Sequence, residues 1–180
     1  MKYLRLSWEE IEAACRRLAE GIKERRLEFD IIVGVARGGL VPARILSDML
    51  GNDELQTMRI KFYDAVGRTA ERPKILYQPR LEVKGKRVLL VDDIADTGKS
   101  LTAAIDHLKG EGAGEVSVAV LAKRPSSSLI PDLCTMETDA WVIFPWEVQE
   151  TARDILRRRG KGAREELEDA GIREEELVRL

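Results

Sequence analysis

Apolar residues change their spacing several times along the chain, and each change predicts an element. Ile11, Ala14, Cys15, Leu18 and Ile22 recur at helical spacing, which predicts an amphipathic helix over roughly 8–26. Ser7 stands three residues before Glu10, the spacing of a capping box, and marks where that helix starts. From Phe29 to Ala36 the pattern becomes a continuous apolar run, as in a strand buried on both faces. Arg37-Gly38-Gly39 breaks it. Leu40 to Leu50 then reads as a helix with Pro42 in its first turn and Gly51 at its end. Leu55 to Tyr63 alternates like a strand, 64–74 is polar with Gly67 and Pro73 and reads as a mobile loop, and Ile75 to Pro79 is a short strand. Lys84-Gly85-Lys86 turns the chain into a second buried strand, Arg87 to Val91. A helix from about Ser100 to Lys109, a strand from Val116 to Ala122 and a last strand from Trp141 to Phe144 complete the pattern.

Strands that alternate with helices, and that are apolar runs rather than alternations, predict an α/β fold with a mainly parallel twisted sheet flanked by helices. No internal repeat is present. The stretch Thr151–Leu180 differs, with 8 basic and 8 acidic residues in 30 and breaks at Gly160, Gly162 and Gly171. It predicts two or three short amphipathic helices, packed on the core or against a second subunit. The expected organisation is a main domain over 1–150 and a helical C-terminal extension over 151–180.

Composition narrows the class. Hydrophobic residues make up 44% of the chain, enough for a real core. The net charge of −2 offers no cationic excess for general nucleic-acid binding. No apolar run approaches the roughly 20 residues of a membrane-spanning helix, and the first residues lack the pattern of a secretory signal. Cys15 and Cys134 are the only cysteines and have neither metal-binding nor redox spacing. These features predict a soluble cytoplasmic domain. Asn52, Gln56, Gln78 and Gln149 are the only side-chain amides against 34% charged residues, a pattern found in proteins of hot environments.

The segment Val88–Ser100 carries the most chemistry. A hydrophobic strand ends in Asp92-Asp93, and a turn through Asp96-Thr97-Gly98-Lys99-Ser100 runs into a helix. Amide groups at a helix start, with Gly98 allowing close approach and two hydroxyls alongside, suit a phosphate dianion. Three carboxylates suit something else: sugar hydroxyls, Mg²⁺ or a protonatable base. An ATPase-type phosphate loop is excluded because its first glycine would fall on Asp93, and a dinucleotide fingerprint at Gly34–Gly39 because its second would fall on Ala36.

In this context Val88–Leu101 resembles the phosphoribosyl pyrophosphate (PRPP) signature of the type I phosphoribosyltransferases, most closely the short archaeal purine enzymes. The resemblance spans roughly residues 8–150. It implies that Asp92 and Asp93 contact the ribose hydroxyls, directly or through metal. It also implies that Asp96, Thr97, Gly98, Lys99 and Ser100 cradle the 5′-phosphate, and that Asp96 is the acid/base near the purine N7. Ala36-Arg37-Gly38-Gly39 is similar to the family's pyrophosphate loop, which often contains a non-proline cis peptide. Lys61 stands where purine-type members place a pyrophosphate-binding cation, ahead of a catalytic loop in which Arg68 or Arg72 would close on the substrate. Lys123, Trp141 and Val142 look like the base site of the hypoxanthine/guanine/xanthine enzymes. There a lysine donates to the exocyclic O6, an aromatic ring stacks on the purine and the next backbone carbonyl reads position 2.

The resemblance thus implies Mg²⁺-dependent transfer from PRPP to a 6-oxopurine, giving a nucleoside 5′-monophosphate and pyrophosphate, as in purine salvage. Asp92 and Asp93 would hold the metal, and Glu147 stands where some members carry a metal-linked acid. Neither nucleic acid nor membrane is expected as a partner, and a homodimer or homotetramer is. His107, on a predicted helix, reads as structural. Two alternatives stay open: transfer to adenine or a pyrimidine, and a PRPP-sensing regulator without catalysis.

Overall fold

The computed structural model describes residues 2–62, 73–77 and 81–178. Contacts divide the chain into a larger unit, Glu12–Thr138, and a smaller one, Met1–Ile11 with Asp139–Leu180. The elements are β1 (Tyr3–Arg5), α1 (Trp8–Glu24), β2 (Ile31–Ala36), α2 (Leu40–Leu50), β3 (Leu55–Phe62), β4 (Pro73–Tyr77), β5 (Arg87–Ala95), α3 (Lys99–Gly110), β6 (Glu115–Lys123), β7 (Leu133–Glu137), β8 (Trp141–Ile143), α4 (Val148–Arg159) and α5 (Ala163–Asp169).

In the larger unit, six strands form one sheet in the order β4-β3-β2-β5-β6-β7. All neighbours are parallel except β3 and β4. Residues on both faces of β2 and β5 are buried, as continuous apolar runs require, and Ile31, Val33, Val88 and Leu90 share a core cluster with Leu101, Ala104 and Leu108 of α3. At the start of these two central strands, Asp30 accepts hydrogen bonds from the Arg87 backbone N–H (2.8 Å) and from its Nη2 (2.7 Å), while Glu28 pairs with the same guanidinium.

The chain leaves β2 through α2 toward β3 on one side, and leaves β5 through α3 toward β6 on the other. The boundary between β2 and β5 is therefore the topological switch point, where open α/β sheets present ligand sites beyond the carboxyl ends of their strands.

In the smaller unit β1 and β8 pair in parallel. Ile143, Val148, Ala152, Ile155, Ala163, Leu167, Ala170 and Ile172 form its core, with Tyr3 and Leu177 packed against it. The predicted tail helices thus appear as α4 and α5, sharing one compact unit with the N-terminal strand.

Several sequence boundaries need correction. β5 does not stop at Val91 but carries Asp92 and Asp93 within it, because the ladder to β6 continues through Ala95 and Lys123. Pro73 and Lys74, expected in the polar loop, pair with Phe62 and Lys61 in β4; Tyr63 and 64–72 lie outside the described residues. Trp141–Ile143 is not part of the main sheet. β1 and β7 carry no signal in the pattern: one is three residues long, and the other has only one fully buried position.

Candidate active site

The two loops singled out from the sequence leave adjacent strands at the switch point. Ala36-Arg37-Gly38-Gly39 follows β2, and Asp96–Ser100 follows β5. The Ala36–Arg37 peptide is cis, as the resemblance implied for this loop. Arg37 is exposed beyond the strand end. The first loop fits against β5 through absent side chains: a Cβ on Gly38 would overlap the Asp93 carboxylate, and one on Gly39 would overlap the carbonyl oxygen of Val91. Glycine is required here for close approach, independent of its φ.

Asp92 and Asp93 are buried, an unusual placement for two adjacent acids. The Asp93 N–H donates to Asp92 Oδ1 at 3.0 Å, and the Ile94 N–H to Asp93 Oδ1 at 2.7 Å. Burial, then the neighbouring Asp93 charge, push the Asp92 carboxyl well above its ordinary range, while the backbone amides of Asp93 and Gly39 oppose the rise. An arrangement that raises the cost of its own charge is one that a cation relieves.

Gly98 adopts a left-handed φ of 81° and no side chain caps α3, so the first-turn amides are not used by a capping group. The Lys99 N–H reaches Thr97 Oγ1 only at 3.4 Å. Asp96, Thr97 and Lys99 are exposed, Ser100 half-buried and Gly98 buried. A Cβ on Gly98 would stand 2.7 Å from the Leu129 nitrogen.

Asp96 Oδ1 accepts a hydrogen bond from Arg124 Nε at 2.5 Å. The only sequence signal for Arg124 is its place as a basic residue directly after an apolar strand, next to Lys123. Lys123 ends β6, and its ammonium pairs with Glu137 Oε2 at 2.5 Å, which raises its pKa. Glu137 has none, since its place beside Lys123 depends on the β6–β7 register.

The remaining expected residues lie elsewhere. Lys61 is in β3, but its side chain lies outside the described residues, as do Arg68 and Arg72. Trp141 and Val142 are in β8 of the smaller unit. Trp141 is 43% exposed, whereas Val142 is buried. The Trp141 N–H donates to the Lys2 carbonyl, and the Ile143 carbonyl accepts from the Leu6 N–H. By ladder alternation the Val142 carbonyl therefore faces away from β1. Glu147 precedes α4, and its Oε1 accepts from the Phe144 N–H at 3.2 Å. Among the described residues, no three His, Cys, Asp or Glu side chains group closely enough to hold a metal ion.

Other chemistry is weakly supported. Burial pushes the Cys15 thiol up to about 12, the opposite of an activated nucleophile. A cavity of about 610 Å³ in the smaller unit is lined by Arg5, Trp8, Trp146, Gln149 and Arg173, but Glu176 occupies both guanidinium groups, at 2.5 Å and 3.3 Å. Among the described residues no helix is long and apolar enough to cross a membrane.

Known proteins resemble the chain over most of its length. The chain is 30% identical over 147 residues to the xanthine-guanine phosphoribosyltransferase of Gluconobacter oxydans, covering 81% of this chain and 84% of that one. It is 30% identical over 154 residues to the enzyme of the same name from Cereibacter sphaeroides, covering 82% and 88%. The crystal structure of a purine phosphoribosyltransferase from Pyrococcus horikoshii superposes with a TM-score of 0.73 at 41% identity, covering 81% of this chain and 94% of that one. Residues 6–153 match the phosphoribosyl transferase domain, a span that takes in both loops at the switch point, and the chain belongs to that family.

Proposed function

We propose that this protein transfers the phosphoribosyl group of PRPP to a 6-oxopurine, giving a nucleoside 5′-monophosphate and pyrophosphate. One observation carries the reading: the Ala36–Gly39 loop leaves β2 and packs on the end of the neighbouring parallel strand β5, Gly38 against Asp93, just ahead of the Asp96–Ser100 turn. The xanthine-guanine enzymes and the Pyrococcus purine enzyme support the choice of base class. The machinery lies within 1–150, with 151–180 as a helical extension, and the assembly is a homodimer or homotetramer, which light scattering resolves.

Asp92 and Asp93 would supply the hard oxygen donors that suit Mg²⁺, and the raised Asp92 carboxyl is the feature that a cation would relieve; Glu147 belongs to the smaller unit and accepts from the Phe144 N–H, which gives it no part in that ligand set. When bound, Mg²⁺ neutralises charge on the pyrophosphate and ribose oxygens. The chain's own residues do the rest. Asp92 and Asp93 orient the ribose hydroxyls, and Thr97, Gly98, Lys99 and Ser100 hold the 5′-phosphate on the first-turn amides of α3. Ala36, Arg37, Gly38, Gly39 and Lys61 bind pyrophosphate, whose charge grows as it leaves.

The C1′–O bond breaks through an oxocarbenium-like transition state while a base nitrogen forms the bond to C1′. Asp96 takes the N7 proton. Lys123 donates to O6, Trp141 stacks on the ring and the Val142 carbonyl reads position 2. A cationic donor discriminates against adenine, whose 6-amino group would leave it unpaired.

Pyrophosphate release from PRPP and Mg²⁺ is measured with hypoxanthine, guanine, xanthine, adenine and uracil. Release with 6-oxopurines alone is expected. Release with adenine or uracil would overturn the roles of Lys123 and Trp141. PRPP binding without release for any base would mark the chain as a PRPP-binding regulator.

A further inference from the structure

The connection between β6 and β7 braces the Asp96–Gly98 loop along its length. The Arg124 N–H donates to the Ala95 carbonyl at 3.0 Å, continuing the sheet ladder by one residue beyond the strand. The Ser128 N–H and Oγ both donate to the Thr97 carbonyl, at 3.3 Å and 2.8 Å. Gly98 lies flat against Leu129 and Ser128, with no room for a side chain. Between these anchors the Arg124 guanidinium reaches Asp96, its Nε 2.5 Å from Oδ1.

The two partners differ in surroundings. The Arg124 side chain is 18% exposed and that of Asp96 is 55% exposed. An exposed carboxylate ordinarily samples several rotamers, whereas this one is tied to a guanidinium whose own backbone is fixed by the ladder. The Arg124 contact falls on Oδ1 of the carboxylate. This Nε contact restricts where Oδ1 sits.

We propose that Arg124 is a positioning residue for transfer: it fixes the Asp96 carboxylate, which receives the purine N7 proton as the bond to C1′ forms. The inference rests on the reading of Asp96 as the acid/base. Because Lys123 and Arg124 are consecutive, the residue that reads the base and the residue that aims the proton acceptor share one backbone. A shift of the β6 end that misplaces the first also misplaces the second.

The test measures kcat, base KM and PRPP Kd for single and double variants. Loss of a positioning contact at a proton-transfer group costs about 10- to 100-fold in rate. Arg124→Gln is expected to lower kcat by that factor while PRPP Kd stays within about twofold. Arg124→Lys, which keeps the charge and loses the planar fork, is expected to recover only part of the loss. Added guanidinium ion is expected to restore turnover to Arg124→Ala, a response that a purely structural arginine would not give. In an Asp96→Asn background, Arg124→Gln is expected to cause no further loss.

The proposal is overturned if the two losses multiply in the double variant, or if PRPP Kd rises in step with the fall in kcat. If Asp96→Asn is impaired and Arg124→Gln is not, only the role of Arg124 falls. If Asp96→Asn turns over at the unsubstituted rate, the acid/base reading itself fails, and this inference with it.

Discussion

At Gly38 a single missing carbon lets the Ala36–Gly39 loop meet the end of β5. A Cβ there overlaps the Asp93 carboxylate, which is buried and cannot swing aside as a surface side chain would. Gly38→Ala is therefore expected to destabilise the fold by about 1–3 kcal/mol, the usual cost of overpacking, and to abolish pyrophosphate release. Urea unfolding with an activity assay checks both. Unchanged stability would mean that the loop and β5 do not pack as described. At this scale the sequence was informative where chemistry is local: two adjacent acids, a Thr-Gly turn and a Gly-Gly step are unusual enough to stand out. It was silent on Arg124 and Glu137, since an ordinary basic or acidic residue acquires a role only from the partner that the fold supplies.

Between elements, the clearest electrostatic device joins the starts of β2 and β5. Hydrogen bonds from the Arg87 side chain, then from its backbone, hold the Asp30 carboxyl down to about 2. A folded-state pKa below the ordinary carboxylate value of about 3.9 means that this stabilisation is fully present above about pH 4. It is lost as the pH falls toward about 2. Asp30→Asn is expected to flatten the acid side of the stability curve between those values while changing its slope little near neutrality. Thermal unfolding from pH 2 to 5 measures this, and an unaltered acid limb would remove Asp30 from the account. The strands themselves were legible because β2 and β5 are apolar on both faces. The far end of β5 was not, because Asp92 and Asp93 look like a strand terminus. Only pairing with β6 reveals that the ladder runs on beneath them.

Across the molecule, the N-terminal strand and the charged tail are held in one unit by pairs that no local pattern predicts. Arg5 donates to both Glu176 oxygens, at 3.0 Å and 2.5 Å, and Gln149 donates to the Glu176 carbonyl at 2.7 Å. Tyr3 and Arg159 converge on Glu166. The Arg5 guanidinium, followed by the Arg173 backbone N–H, holds the Glu176 carboxyl down to about 2. Partly exposed ion pairs contribute about 1 kcal/mol or less, so Arg5→Ala should scarcely change global stability. It is expected to speed amide exchange in β1 and in residues 171–178 by roughly fivefold, leaving β2 and β5 unchanged. Hydrogen exchange resolved by segment tests this. Faster exchange spread over the larger unit would contradict the division of the chain into two units.

The α/β class, the order of most elements, the two phosphate-type segments and the family were legible along the chain, because periodicity and short motifs are properties of neighbours in sequence. Tertiary structure alone decided that the Ala36–Gly39 and Asp92–Ser100 loops emerge side by side at the switch point. It also decided that Asp96 faces Arg124 and Lys123 faces Glu137, and that Tyr3–Arg5 closes a unit with a tail more than 130 residues away. The physical reason is common to all of these. Hydrogen bonds and ion pairs act over a few ångströms, whereas which residues come within that range depends on strand order and register, which bring together positions far apart in the chain.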